Sequence, residues 1–155
     1  MSLRATPALM LAALLAAAVA RADVPDDTPA PPPPSIVALD AAPVRVSPNG
    51  KARITLLARG EQAFVGRLEI EPGAVLPEHR DPTEEYVHVL AGTGVVTIDG
   101  KQTAVGPGMT IFMPAGAAVS YRNGPEKAVV LQVFADPAPA DRYAKWRSLE
   151  AAAGR

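Results

Sequence analysis

Between residues 43 and 135, short runs rich in Val, Ile and Leu alternate with turn residues at nearly regular intervals. The turn signals combine Gly with Pro, Asn or Asp, and they include Asn49-Gly50, Pro72-Gly73, Asp99-Gly100 and Asn123-Gly124. No run in this region has a helical period. Short strands spaced in this way are typical of antiparallel all-β barrels and sandwiches. We therefore expect one all-β domain over residues 36–136, with a two-residue hairpin turn at Asp99-Gly100.

The segment before this domain has the order of a secretory signal peptide. Arg4 precedes the apolar run 8–20, and Ala20-Arg21-Ala22 offers small residues for cleavage. The run is shorter than the roughly 20 residues that cross a bilayer. We predict a signal peptide over residues 1–22, a periplasmic or secreted protein, and no membrane association after cleavage; an uncleaved anchor is the alternative. Residues 23–35 are rich in Pro, which predicts a stiff, extended linker.

The tail, residues 137–155, does have a helical period. Asp141 is a candidate N-cap for an α-helix, and the apolar positions on one face are Tyr143, Trp146, Leu149 and Ala153. We expect this C-terminal helix to cover an opening or an edge of the barrel.

Composition excludes several classes of function. The chain has 15 basic and 16 acidic residues, a formal net charge of −1, and no basic stripe of the kind that nucleic-acid binding needs. It has no Cys, so thiolate metal sites, disulfides and thiol nucleophiles are ruled out.

Only two histidines are available for chemistry, and the strand pattern separates them. In extended chain, alternate residues share a face, so His79 and Asp81 point the same way. In the following strand Glu85 lies on the face opposite to His88. We predict that His79, Asp81 and Glu85 face the interior, whereas His88 faces outward.

These residues carry a family resemblance. The first cupin motif consists of a Gly, two His, a Glu and a Gly. The residues at the corresponding positions and spacing in this sequence are Gly73, His79, Asp81, Glu85 and Gly92. The Gly, Pro, Gly, His and Asn of the second motif are matched by Gly108, Pro114, Gly116, Val119 and Asn123. The chain thus resembles a small cupin, which implies a jelly-roll β-barrel with the motif residues facing its interior, and a homodimer formed through outer-face residues such as His88.

The sequence departs from the metal-binding cupin pattern at two positions. Asp81 stands where the second His is usual, and Val119, which cannot bind a metal, stands at the third. A first interpretation is that His79, Asp81 and Glu85 bind a divalent ion; such an oxygen-rich set suits Mn²⁺, Fe²⁺ or Zn²⁺ better than Cu²⁺. The site would then belong to a metal-dependent oxygenase or isomerase.

Two other interpretations stay open. The pocket can work without metal, with His79 transferring protons or binding a polar ligand, and with Tyr121 and Asn123 adding a phenol and an amide from the face of Val119. Some sugar-epimerising cupins combine a His, a carboxylate and a Tyr in this manner, by resemblance only. Alternatively, His79 and Glu85 form a buried pair in a non-catalytic structural or interaction module. In the first two cases the partner is a small molecule, and the sequence does not decide whether the protein is an enzyme.

Overall fold

The computed structural model describes residues 33–149. The predictions for the signal peptide, for most of the linker and for residues 150–155 fall outside this range. Within it the chain forms eleven strands and one 3-10 helix. No helix among these residues has the length and apolar character needed to cross a membrane.

Ten strands precede the tail. They are β1 (Val44–Val46), β2 (Ala52–Arg59), β3 (Phe64–Ile70), β4 (Val75–His79), β5 (Glu85–Ala91), β6 (Gly94–Ile98), β7 (Lys101–Val105), β8 (Thr110–Met113), β9 (Val119–Asn123) and β10 (Ala128–Phe134). The tail contains the 3-10 helix Ala138–Lys145 and β11 (Arg147–Leu149).

The strands form two antiparallel sheets. The larger has the order β11-β1-β2-β3-β10-β5-β8, and the smaller has the order β4-β9-β6-β7. Buried apolar side chains from both sheets, such as Leu68 and Val130 of one and Val96 and Val119 of the other, belong to a single core. The predicted all-β jelly-roll barrel is confirmed.

Side-chain alternation explains which residues fill this core. In β3 and β10 every second residue is buried, and the two strands pair in register from Ala128 opposite Ile70 to Phe134 opposite Phe64. The alternation has one polar member, Gln132, on the buried face of β10. A buried amide needs hydrogen-bond partners, and those partners lie in the site described below.

The hairpin turn at Asp99-Gly100 is found where it was predicted. Ile98 pairs with Lys101, and both turn residues have positive φ, 47° for Asp99 and 81° for Gly100. Asp and Gly tolerate this conformation better than other residues, so local chemistry fixes the register of β6 against β7.

The C-terminal helix differs from the prediction in type, start and length. It is a 3-10 helix whose N-cap is Pro137, without a side-chain cap, and Asp141 lies inside it and forms an ion pair with Arg59 at 2.8 Å. Proline is tolerated in the first turn of a helix, so the helix can begin earlier than the expected cap. It ends at Lys145, with Trp146 as its C-cap, and Leu149 then lies in β11, which pairs with β1.

Candidate functional site

A cavity of about 350 Å³ lies between the two sheets. Most of its walls are aliphatic, contributed by residues such as Leu68, Val87, Val96, Ile111 and Val130. Five of the polar residues in its lining form one group around Glu85, namely His79, Glu85, Gln132, Arg142 and Tyr143; the other polar lining residues are Ser47, Asn49, Lys51 and Tyr121. An apolar pocket with a small convergent polar group is the usual form of a small-molecule site.

The structure brings His79, Asp81 and Glu85 together. His79 ends β4, Glu85 begins β5, and Asp81 lies in the connection between them. One potential ligand atom from each residue lies within 4.8 Å of the others. Strand alternation and a short connection are enough to produce this arrangement.

His79 is held by its backbone-facing nitrogen and presents the other ring nitrogen to the site. Its Nδ1 lies 3.0 Å from the carbonyl oxygen of Pro77. Because a carbonyl only accepts hydrogen bonds, Nδ1 is the donor in this contact, and Nε2 is the ring nitrogen left for the site. Nε2 lies 3.8 Å from Oδ2 of Asp81.

Only one of the two carboxylate oxygens of Asp81 forms a hydrogen bond within residues 33–149. Oδ1 accepts a hydrogen bond from Nη2 of Arg142 in an ion pair. Oδ2 is buried and has no hydrogen-bond partner among residues 33–149. A buried carboxylate oxygen without a partner is costly, so this atom is available to bind a further group.

Glu85 is held by a chain of two buried hydrogen bonds. Nε2 of Gln132 donates to Oε1 of Glu85 at 2.6 Å, and the hydroxyl of Tyr143 donates to Oε1 of Gln132, also at 2.6 Å. Burial raises the pKa of Glu85, an effect that the hydrogen bond from Gln132 partly offsets. Burial also raises the pKa of the Tyr143 phenol. These two bonds fix the orientation of the Gln132 amide, and the second oxygen of Glu85 has no hydrogen-bond partner among residues 33–149.

Tyr121 lines the same cavity as Val119, as the sequence suggested, whereas Asn123 does not. Tyr121 lines the cavity, but its hydroxyl donates to Oδ1 of Asn123 at 3.0 Å. The Asn123 amide is buried and donates to three backbone carbonyl oxygens, those of Ile70, Glu71 and Glu126. Asn123 therefore ties loops together in this structure, and it is not among the residues that line the cavity.

His88 lies on the outer face, as the alternation predicted. Its Nδ1 lies 2.9 Å from the hydroxyl oxygen of Thr110 on β8. Tyr86 and Leu90 on the same face are exposed, whereas Glu85 and Val89 are buried. The two histidines therefore belong to different parts of the molecule.

The donor set fits a divalent metal ion. Nε2 of His79, Oδ2 of Asp81 and the free oxygen of Glu85 are all lone-pair donors, and two of them are carboxylate oxygens. Nitrogen and oxygen ligands of this kind suit Mn²⁺, Fe²⁺ and Zn²⁺. Val119 lines the cavity directly across from His79 and contributes no ligand atom.

Comparison with known proteins gives the family. The model of the cupin domain matches residues 66–134, which contain His79, Asp81, Glu85 and Gln132, and solved cupins share the fold. Residues 66–134 match the cupin domain, and the described residues have the cupin fold.

Similar cupins differ in how much of their length they share with this one. An 82-residue segment is 33% identical to the dimethylsulfoniopropionate lyase DddW of Ruegeria pomeroyi, and it covers 50% of this chain and 54% of the lyase. An RmlC-like cupin from Shewanella frigidimarina has a TM-score of 0.64 at 16% identity, covering 71% of this chain and 96% of its own. A predicted oxalate decarboxylase from Thermotoga maritima has a TM-score of 0.59 at 24% identity, and the match covers 66% of this chain and 99% of the decarboxylase.

Sequence reasoning missed three residues of the polar group. Gln132 had a detectable signal, because it is polar at a buried position of an otherwise apolar strand. Tyr143 was assigned to a covering face, without a partner for its hydroxyl. Arg142 had no local signal, since its ion pair with Asp81 joins residues that are far apart in the chain.

Proposed function

We propose that this cupin binds a divalent metal ion through His79, Asp81 and Glu85 and a small molecule in the adjoining barrel cavity. The observation that carries the proposal is the buried Oδ2 of Asp81, which has no partner among the described residues and faces Nε2 of His79. With His79 neutral and both carboxylates ionised, Nε2 of His79, Oδ2 of Asp81 and the second oxygen of Glu85 all accept a hydrogen bond or bind a cation. A cation satisfies all three at once.

The cavity determines what else is bound. Its aliphatic walls favour a ligand with an apolar body, and its volume of about 350 Å³ is at the small end of ligand pockets. With three protein ligands, a bound metal keeps open positions and can act as a Lewis acid toward an oxygen of the ligand. The 33% identity with a lyase supports a catalytic role, which we propose on that basis.

The second candidate is a metal-free site in which Nε2 of His79 takes up a proton from a ligand. The tautomer fixed by Pro77 favours it, because Nε2 is then the basic nitrogen. Asp81 would stabilise the protonated ring. The two candidates differ in metal content, which is directly measurable.

The test is metal content combined with thermal stability. We expect purified protein to contain close to one equivalent of Mn, Fe or Zn, and metal-stripped protein to gain thermal stability when Mn²⁺ or Zn²⁺ is restored. A ligand at about 100 times its Kd stabilises a native protein by about 2.7 kcal/mol. His79→Ala should abolish both effects.

His88→Ala is the matched control, because it removes an imidazole from the outer face and should leave metal binding unchanged. Wild-type protein that contains no metal and is not stabilised by either ion would contradict the metal site and favour the metal-free candidate.

We also propose that the protein is exported to the periplasm or secreted, on the order of charged, apolar and small residues in residues 1–22. Intact mass spectrometry of protein from the native host tests this proposal. A mature chain that begins at Asp23 is expected, and a chain that retains residues 1–22 would contradict cleavage.

A further inference from the structure

We infer that the small molecule in this cavity is a monocarboxylate with an apolar body, and that its carboxylate group binds to Arg142 beside the metal. The inference rests on the proposed metal site and adds the chemical class of the ligand. It assigns a binding role to a residue of the tail, outside the segment that matches the cupin domain.

Arg142 is held in place on two sides and over one face. Its Nε donates to the carbonyl oxygen of Pro139 at 2.8 Å, and its Nη2 donates to Asp81. Its guanidinium carbon lies 5.5 Å from the centre of the Phe134 ring, in a cation–π contact. A guanidinium fixed in this way loses little conformational entropy when it binds a ligand.

One end of the guanidinium is left for a ligand. Nη1 of Arg142 has no hydrogen-bond partner within residues 33–149, and the side chain lines the cavity. A planar guanidinium edge matches the two oxygens of a carboxylate better than a single oxygen or a neutral amide. Lys51 also lines the cavity, but it is exposed and not fixed by side-chain contacts.

Charge balance favours an anionic ligand once the metal is bound. The carboxylates of Asp81 and Glu85 neutralise a divalent ion, so the positive charge of Arg142 is left over. His79 is neutral when it binds a metal through Nε2. The Arg142 side chain is 39% exposed, so solvent screens part of this charge, and an anionic ligand in the cavity can pair with the remainder. One carboxylate restores neutrality.

The experiment compares a carboxylate with its uncharged analogue. Calorimetric titration of Mn²⁺-loaded protein uses the linear acids from acetate to octanoate, and hexanoate is matched with hexanamide. We expect hexanoate to bind about tenfold to hundredfold more tightly than hexanamide, the range for hydrogen bonds to charged groups. Arg142→Met should reduce this difference by weakening hexanoate more than hexanamide.

Lys145→Met is the control, because it removes a neighbouring exposed charge from the same helix and should change neither affinity. Arg142→Lys keeps the charge without the planar edge, so it should retain Mn²⁺ and bind hexanoate with intermediate affinity. It also serves as the test variant if Arg142→Met does not fold.

Two failures are distinguishable. Mn²⁺ binding is measured first in the same samples, and its absence in wild-type protein contradicts the metal site. If wild-type protein binds Mn²⁺ but no acid of the series, or binds hexanoate and hexanamide equally, the carboxylate inference is wrong. It is also wrong if Arg142→Lys and Arg142→Met bind hexanoate as tightly as wild type.

Discussion

Val119 of β9 is paired directly with His79 of β4. Both side chains line the cavity, and Val119 is buried. The aliphatic side chain thus occupies the place from which a further metal ligand would reach the cluster of His79, Asp81 and Glu85. This pairing provides a gain-of-function test of the metal site.

Val119→His should strengthen metal binding, because it adds an imidazole across from His79. We expect the affinity for Zn²⁺ or Mn²⁺ to increase about tenfold or more. The added imidazole forms one more bond to the metal without a further loss of translational entropy on binding. Isothermal titration with each ion measures the change. Val119→Ala changes packing at the same position and should give no increase; equal gains in both variants would contradict the assignment.

Tyr143→Phe should destabilise the protein by about 1–3 kcal/mol, because it leaves Oε1 of the buried Gln132 without a donor. Urea unfolding measures the loss. The control is Tyr86→Phe, which removes a surface hydroxyl bonded to Glu84 and should cost less than about 0.5 kcal/mol. Equal losses in the two variants would show that the buried hydrogen bonds from Tyr143 through Gln132 to Glu85 contribute little to stability.

Alkaline pH should reduce stability through Tyr143. Burial raises the pKa of this phenol in the folded state above its ordinary value of 10.0. The folded protein therefore holds a proton that the unfolded chain releases, and the stabilisation, complete below pH 10, is lost as pH rises beyond it. Unfolding free energies at pH 8 to 11 should show wild-type protein losing more stability than Tyr143→Phe. A constant difference between the two across this range would contradict the prediction.

Asn123→Asp should destabilise the fold strongly, because it replaces the amide that donates to three backbone carbonyl oxygens with a carboxylate that repels them. We expect a loss of about 3 kcal/mol or more, as for other buried networks that lose a partner. Thermal unfolding measures it. Asn49→Asp, in the exposed turn between β1 and β2, is the control. If Asn123→Asp unfolded like wild type but lost ligand binding, Asn123 would belong to the site after all.

The outer face of the larger sheet supports the proposed homodimer. Tyr86, Leu90 and Phe112 are exposed there, and the rings of Tyr86 and Phe112 lie 5.1 Å apart on neighbouring strands. We propose that a second copy covers this patch, because adjacent exposed aromatic residues mark interaction surfaces. Light scattering should give twice the chain mass, and Phe112→Asp should halve it. Leu39→Asp changes an equally exposed residue elsewhere and should not; a monomeric wild type would contradict the dimer.

Local chemistry explains why part of this fold and site was predictable. The hairpin at Asp99-Gly100 depends on two residues, and the convergence of His79, Asp81 and Glu85 depends on strand alternation over a few positions. The partners of these residues depend on long-range pairing: β10 places Gln132 beside Glu85, and the tail places Arg142 on Asp81. The prediction of an α-helix in the tail was wrong because it considered the helical period alone. Pro137 and Pro139 instead start a short 3-10 helix.

The segment Ala138–Lys145 lies beyond the matched cupin domain, yet it supplies Arg142 and Tyr143 to the cavity. Relatives can therefore share every barrel motif and still differ at this end of the pocket. Ligand preference can diverge through changes in eight residues, while the barrel that carries the shared sequence signature stays the same. Before a function is inferred for one such protein from another, their tails should be compared as well as their motifs.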